Sequence, residues 1–190
     1  MGYDTTFSGG LHFNKPVAEW LVDYINDFSS NRRMKRDPEK IKELYPNWGK
    51  FCFNGELGVD GEYFTGENSY RDQSVVDFNR PPATQPGLWC QWIINDNGEL
   101  TWDGNEKFYE YEAWLQYLID NFFEPLGYVL NGDIEWQGED SEDFGRIHVV
   151  NNDIEMQYGE KVYSSDEFLK GIETADLIAE LKERGYNVAV

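Results

Sequence analysis

Leu88-Trp89-Cys90-Gln91-Trp92-Ile93-Ile94-Asn95, then Asp96-Asn97-Gly98, then Glu99-Leu100-Thr101-Trp102, is the stretch on which the fold turns. A run of aromatic and β-branched residues, a turn holding the Asn-Gly step, and a second such run make a β-hairpin. Its flanks decide where it belongs. Upstream, residues 3–13 read as an opening strand, with Gly9-Gly10 as a bulge or bend. Asn14 and Pro16 then mark a helix start. Val17, Trp20, Leu21, Tyr24, Ile25 and Phe28 follow at helical spacing, so a helix over 16–29 should lie on a core. Downstream, Asp103-Gly104-Asn105 turns into a second helix over about 106–123. Its stripe is Phe108, Tyr111, Leu115, Leu118, Ile119 and Phe122, with Trp114 beside it, and Pro125 and Gly127 stop it. Strands at about 128–137, 145–151 and 153–158 come next.

The order of core elements is therefore β-α-β-β-α-β, the split-βαβ or ferredoxin-like order, extended by a β-hairpin. The expected class is α+β: an antiparallel sheet with two helices on one face. Residues 1–160 read as one domain and 161–190 as a helical extension packed on it. Ser164 and Glu167 form a capping box there, Leu177, Ile178 and Leu181 an apolar side, Gly185 an end, and residues 186–190 a tail or edge strand. Alternation in 89–92 does not mark one wet face, which makes that C-terminal helix a candidate cover for the sheet's second side. The chain has no internal repeat at a 20–50-residue period.

Residues 31–87 interrupt this order as a long irregular insertion, holding a short helix over 39–44 and Gly- and aromatic-rich turns. Loops of this length inside a domain are uncommon. The insertion opens with Arg32, Arg33, Lys35 and Arg36, the one dense basic run, placed where cations complement a helix C-terminus. It closes with a proline strap, residues 77–92, whose prolines set a stiff extended path. Asp77, Asn79, Arg80 and Gln85 are the polar groups held on that path. They make it the first choice for a small-molecule or peptide site, against a plain reading as a strap over the sheet edge.

The charge is unevenly placed. Residues 1–86 carry 10 Lys/Arg and 13 Asp/Glu, residues 87–190 carry 6 and 23, and the whole chain is at −20. Aromatic content of 16 % is too high for a disordered acidic chain, so the excess carboxylates belong on the surface of a packed domain. The densest acidic run is Glu139, Asp140, Glu142 and Asp143. It lacks the EF-hand spacing, and no metal or other cofactor is expected. Trp89, Trp92, Trp102, Trp114 and Trp136 read as core. His12 and His148 lie in strands, His148 on the solvent side, and neither joins a recognisable catalytic arrangement. Gly2 with Thr6 fits the short myristoylation pattern, which an acidic body opposes. Cys52 and Cys90 read as buried free thiols of a reducing cytoplasm. Residues 1–6 lack the basic and apolar regions of a signal peptide, so none is expected, and no apolar run reaches the ~18–20 residues of a membrane span.

The segments RRMKRD (32–37), GEYF (61–64), NRPP and QPGLWCQW (within 79–92), WDGNEKFY (102–109) and LNGDIEWQGEDSEDFG (130–145) resemble a family of small acidic uncharacterised proteins from bacteria and their phages. The resemblance spans most of residues 3–158 and carries no established activity. It implies an intracellular protein encoded on a phage or mobile element.

These readings lead to three expectations. The first is a non-enzymatic binding or inhibitor protein in the cytoplasm, using Glu139, Asp140, Glu142 and Asp143 to engage a basic, nucleic-acid-binding protein, as a DNA mimic does. Direct nucleic-acid and membrane contact are not expected, and the oligomeric state is left open. The second is a small-ligand binder or enzyme using residues 60–92. The third is a self-associating virion component.

Overall fold

The computed structural model describes residues 2–160 together with residues 183 and 184. The chain divides into two units, Met1–Gly159 and Glu160–Val190. In the second, Glu183 is helical and Arg184 lies in a turn, both exposed. The expected capping box, helix and tail of residues 161–190, and the packing of that segment on the domain, otherwise lie outside the described residues. No helix among the described residues is long and apolar enough to cross a membrane.

The first unit is α+β. Its strands are β1 (Thr5–Phe13), β2 (Lys35–Arg36), β3 (Val75–Asp77), β4 (Trp92–Ile94), β5 (Glu99–Trp102), β6 (Leu130–Gly138), β7 (Phe144–Val150) and β8 (Asp153–Tyr158). Its helices are α1 (Glu19–Ser30), α2 (Pro38–Leu44) and α3 (Tyr111–Leu118). Six strands form one sheet in the order β4-β5-β1-β6-β7-β8, antiparallel throughout. The first four positions are the order that the β-α-β-β-α-β reading requires, with the β7–β8 hairpin added on the β6 side. Asn151 and Asn152, both at positive φ, make the two-residue turn of that hairpin.

Period-2 alternation sends Phe7, Leu11, Trp92, Ile94, Leu100, Ile134, Trp136, Ile147 and Val149 to one face, where they are buried. Both long helices cover that face. Leu21, Tyr24, Ile25 and Phe28 of α1 and Trp114, Leu115 and Leu118 of α3 join the same core. Aromatic edges knit the layers: Phe7 meets Tyr111 at 4.9 Å, and Phe28 meets Trp114 at 6.0 Å. Opposite positions are polar. His12 faces Glu99 at 3.2 Å, and His148 and Arg146 both approach Asp133, at 2.7 and 3.4 Å.

Several expected boundaries shift, each for a local reason. The first helix begins at Glu19 rather than 16, because Ala18 is extended and donates its N–H to the Tyr128 hydroxyl. Asn14 instead accepts from the Val129 N–H. Trp20 leaves the predicted stripe and is half exposed. The second helix begins at Tyr111 rather than 106, because Lys107 and Glu110 adopt left-handed φ. Phe108 reaches the core from that loop. Beyond Leu118 the helix widens into a π turn, Ile119–Phe123, and ends in a 3-10 turn, Glu124–Leu126, before Gly127. The strand expected over 88–95 shrinks to Trp92–Ile94. Gln91 O still accepts from the Asp103 N–H, and its side chain bonds Glu106 O and Trp102 Nε1, but Leu88 O is taken by the Arg33 N–H. The Gly9-Gly10 site holds no register shift: Gly9 pairs with Ile134 and Gly10 with Asp133 in an unbroken ladder, although Gly9 has φ +95°. Trp92, Trp114 and Trp136 are core as expected, Trp102 is half-buried, and Trp89 is 41 % exposed.

The free edge of β4 is closed by side chains. Asn26 of α1 donates to Ile94 O and accepts from Ile94 N, and Ser29 donates to Trp92 O. An edge strand is thereby denied to other chains.

Candidate binding surface and groove

The basic run is the internal clamp of the insertion rather than an open cationic patch. Its backbone grips the strap at both ends: Arg33 N bonds Leu88 O, and Lys35 N bonds Arg80 O. Its side chains alternate. Arg33 turns inward, fully packed under the Phe28 ring at 4.0 Å, and donates to Glu62 O at 2.5 Å. Burial pulls its guanidinium pKa down to about 10, so it stays charged at neutral pH. Arg36 also turns inward and forms a buried ion pair with Asp72, while donating to Ser74 and to Glu67 O. Burial pushes the Asp72 carboxyl up, but bonds from the Ser74 N–H, Tyr45, the Ser74 hydroxyl and Arg36 outweigh it and hold its pKa below the ordinary value. Lys35 reaches Asp60 at 3.2 Å. Arg32 is half-buried, stacked over Phe78 at 4.3 Å and 5.7 Å from Trp89. A small second core of Ile41, Cys52, Leu57 and Phe64 supports this lobe.

The strap is pinned from inside by a buried carboxylate. Glu62, 4 % exposed, accepts from the Tyr117 hydroxyl at 2.8 Å, from the Val59 N–H at 2.9 Å, and from the Thr84 hydroxyl. Gln85 is buried beside it and donates to Glu62 O at 2.8 Å and to the Tyr117 oxygen at 3.2 Å. Burial drives the Tyr117 phenol far above its usual value. Among the four strap residues singled out from the sequence, Gln85 is thus an anchor. Asp77 and Arg80 form an exposed pair at 3.9 Å, and Asn79 donates its N–H to Asp77.

Between the strap and residues 103–110 runs a groove of about 1260 Å³. Pro81, Pro86, Gly87, Leu88 and Trp89 form one wall. Asp103, Glu106, Lys107, Tyr109 and Glu110 form the other, with Asn26, Ser29, Gln91 and Ile93 also lining it. Of the four polar strap residues singled out from the sequence, only Asn79 lines this space. Trp114 lies behind the strap wall, fully buried, and its Nε1 is the one buried side-chain polar atom among the described residues with no hydrogen-bond partner.

The far wall of the groove continues into the acidic run. Tyr3 links them: its N–H donates to the Tyr109 hydroxyl at 3.3 Å, and its own hydroxyl donates to Asp143 at 2.6 Å. That bond to Asp143 raises the Tyr3 phenol pKa. Asp4 links them again, accepting from the Lys107 N–H and donating its N–H to Glu139. The groove-lining Asp103, Glu106 and Glu110 are thus linked through Tyr3 and Asp4 to the run Glu139, Asp140, Glu142 and Asp143, an acidic band with Lys107 within it. Asp143 is the structural member, holding Tyr3 and receiving Trp136 Nε1 at 3.4 Å. Glu139, Asp140 and Glu142 are exposed.

Sequence reasoning placed the acidic run but missed Asp4, Asp103, Glu106 and Glu110, and missed Tyr109 as a groove residue. No sequence signal marks them: Lys107 and Glu110, whose left-handed φ keeps 103–110 out of the helix, have ordinary helix propensity. Among the described residues no cluster of three His, Cys, Asp or Glu is arranged to hold a metal. Both cysteines are free and buried; burial pushes the Cys90 thiol up to about 12. No family profile, curated protein or solved structure matches the chain.

Proposed function

We propose that this is a non-enzymatic binding protein whose acidic band engages a basic protein, in the manner of a DNA mimic that occupies a nucleic-acid-binding surface. The observation that carries the reading is the continuity of the band. The acidic stretches 103–110 and 139–143, far apart in sequence, are tied to one another through Tyr3, Asp4 and Tyr109. Clustered carboxylates present the sign of a phosphate backbone and steer a cationic partner toward them. The resemblance to phage-related proteins fits a cytoplasmic inhibitor of a host factor. The groove, at about 1260 Å³, has room for a segment of a macromolecular partner.

Affinity capture from a bacterial lysate, at low and high salt, tests this. A basic nucleic-acid-binding protein should be retained at low salt, released by salt, and displaced by duplex DNA. The E139Q/D140N/E142Q variant, which leaves Asp143 and Tyr3 in place, should retain far less. Recovery of no basic protein, or equal recovery by the variant, would sink the proposal.

A further inference from the structure

We infer that the groove seats an extended basic segment of the partner, and that a backbone carbonyl of this segment accepts a hydrogen bond from Trp114 Nε1. The inference rests on the acidic band being a partner surface and names what that partner inserts.

A buried N–H without an acceptor is rare in folded proteins. Here it lies behind the one strap position that has no side chain. A Cβ placed on Gly87 would sit 3.5 Å from Trp114 Nε1 and would meet no other atom within 4 Å. Gly87 itself lines the groove. The indole nitrogen therefore lies beside a groove-wall residue that is backbone alone, where a small yielding of the strap at Gly87 would bring it within reach of an acceptor.

Three features select the ligand. An extended chain offers a neutral carbonyl at every residue, ~3.3 Å apart, so one can meet a single fixed donor without burying a charge. The opposite wall carries Asp103, Glu106 and Glu110 against Lys107, which complements cationic side chains and repels a carboxylate or phosphate. The exposed rings of Trp89 and Tyr109 give flat faces on which arginine stacks.

The test is a titration of the full chain, 15N-labelled, with a blocked decapeptide of alternating Arg and Ala, following the seven tryptophan indole N–H signals. The corresponding Glu/Ala peptide is the control, and W114F assigns the signal. The Trp114 proton should move downfield at saturation with the Arg/Ala peptide and stay still with the Glu/Ala peptide. Gly87→Ala adds only an ordinary 3.5 Å contact, so it should fold as the parent does. By closing the approach to the indole it should weaken binding about tenfold, one hydrogen bond's worth. E139Q/D140N/E142Q should weaken salt-sensitive binding yet keep the Trp114 shift at saturation. A silent Trp114 signal at saturation, an equal response to the Glu/Ala peptide, or undiminished binding by Gly87→Ala overturns the inference. If the Arg/Ala peptide binds in a salt-dependent way with Trp114 silent, the groove assignment falls and the acidic band stands. If the peptide does not bind at any salt concentration and lysate yields no basic protein, both fall.

Discussion

Removing one oxygen from Tyr117 should loosen the strap without leaving a cavity. The Tyr117→Phe side chain keeps its ring, which is 7 % exposed in the core, and loses the hydroxyl that donates to Glu62 at 2.8 Å and accepts from Gln85 at 3.2 Å. Glu62 then keeps two donors, the Val59 N–H and the Thr84 hydroxyl, and Gln85 keeps Glu62 O. A hydrogen bond to a charged group contributes about 1.5–3 kcal/mol, and a buried carboxylate cannot recover it from water. The expected loss is therefore about 2–3 kcal/mol. With a urea slope of about 2 kcal/mol/M for a chain of this size, the unfolding midpoint should fall by roughly 1 M at unchanged slope.

A double-mutant cycle with Thr84→Val sharpens the claim. Each single variant leaves Glu62 with two donors; the pair leaves it with one. The combined loss should exceed the sum of the singles by about 0.5 kcal/mol or more. Should Tyr117→Phe unfold within about 0.5 kcal/mol of the parent, Glu62 is not the buried anchor of the strap.

Asp72 sets an acid dependence whose sign follows from its lowered pKa. Below about pH 4 the unfolded carboxyl takes up its proton first, so the stabilisation is complete above that value and drains as pH falls through the lower folded pKa. The stability gap between the parent and Asp72→Asn should narrow as the pH falls below about 4, and a constant gap would contradict the assignment. Gly9→Ala combines a φ of +95° with a Cβ 2.6 Å from the Asp133 carbonyl in the central ladder. It should cost more than about 2 kcal/mol, read as a fall of several degrees in melting temperature; an unchanged melting curve refutes it. Cys52 and Cys90 are both buried with thiol pKa values raised by burial, so neither should react quickly with a thiol reagent in the native state, and both should react in urea. Fast native labelling of Cys90 would show that its site is open.

The sheet was legible because its signals are local. Asn97-Gly98 sets the central hairpin, Asn151-Asn152 the last one, and the 3.6-residue stripe of α1 marks its buried face. The parts misread are those where a side chain overrides the backbone pattern. Residues 88–91 have a strand neighbourhood, but the Gln91 side chain turns to Glu106 O and Trp102 Nε1, Leu88 O takes the Arg33 N–H, and the strand begins at Trp92. Lys107 and Glu110 have ordinary helix propensity, yet the chain forces both to positive φ, which lets Phe108 enter the core and turns the flanking carboxylates toward the groove. The basic run misled in another way. Density of charge suggests exposure, but Arg33 and Arg36 have carbonyls and a carboxylate waiting for them at residues 62, 67 and 72, which no spacing along the chain announces.

The acidic band has a cause that a charge count cannot reveal. In the β1–β6 ladder Thr5 stands opposite Gly138, so the next residues outward, Asp4 and Glu139, are brought together by register alone. The same register carries Tyr3 to Asp143 and the head of the chain to Lys107 and Tyr109. Strand register is set by the buried face, here Phe7 against Trp136 and Leu11 between Leu100 and Gly132. A slip of one residue would turn Phe7 to solvent as surely as it would break the band. Core packing and surface charge are thus fixed by one ladder, and carboxylates more than a hundred residues apart in sequence meet because hydrophobic residues beneath them must.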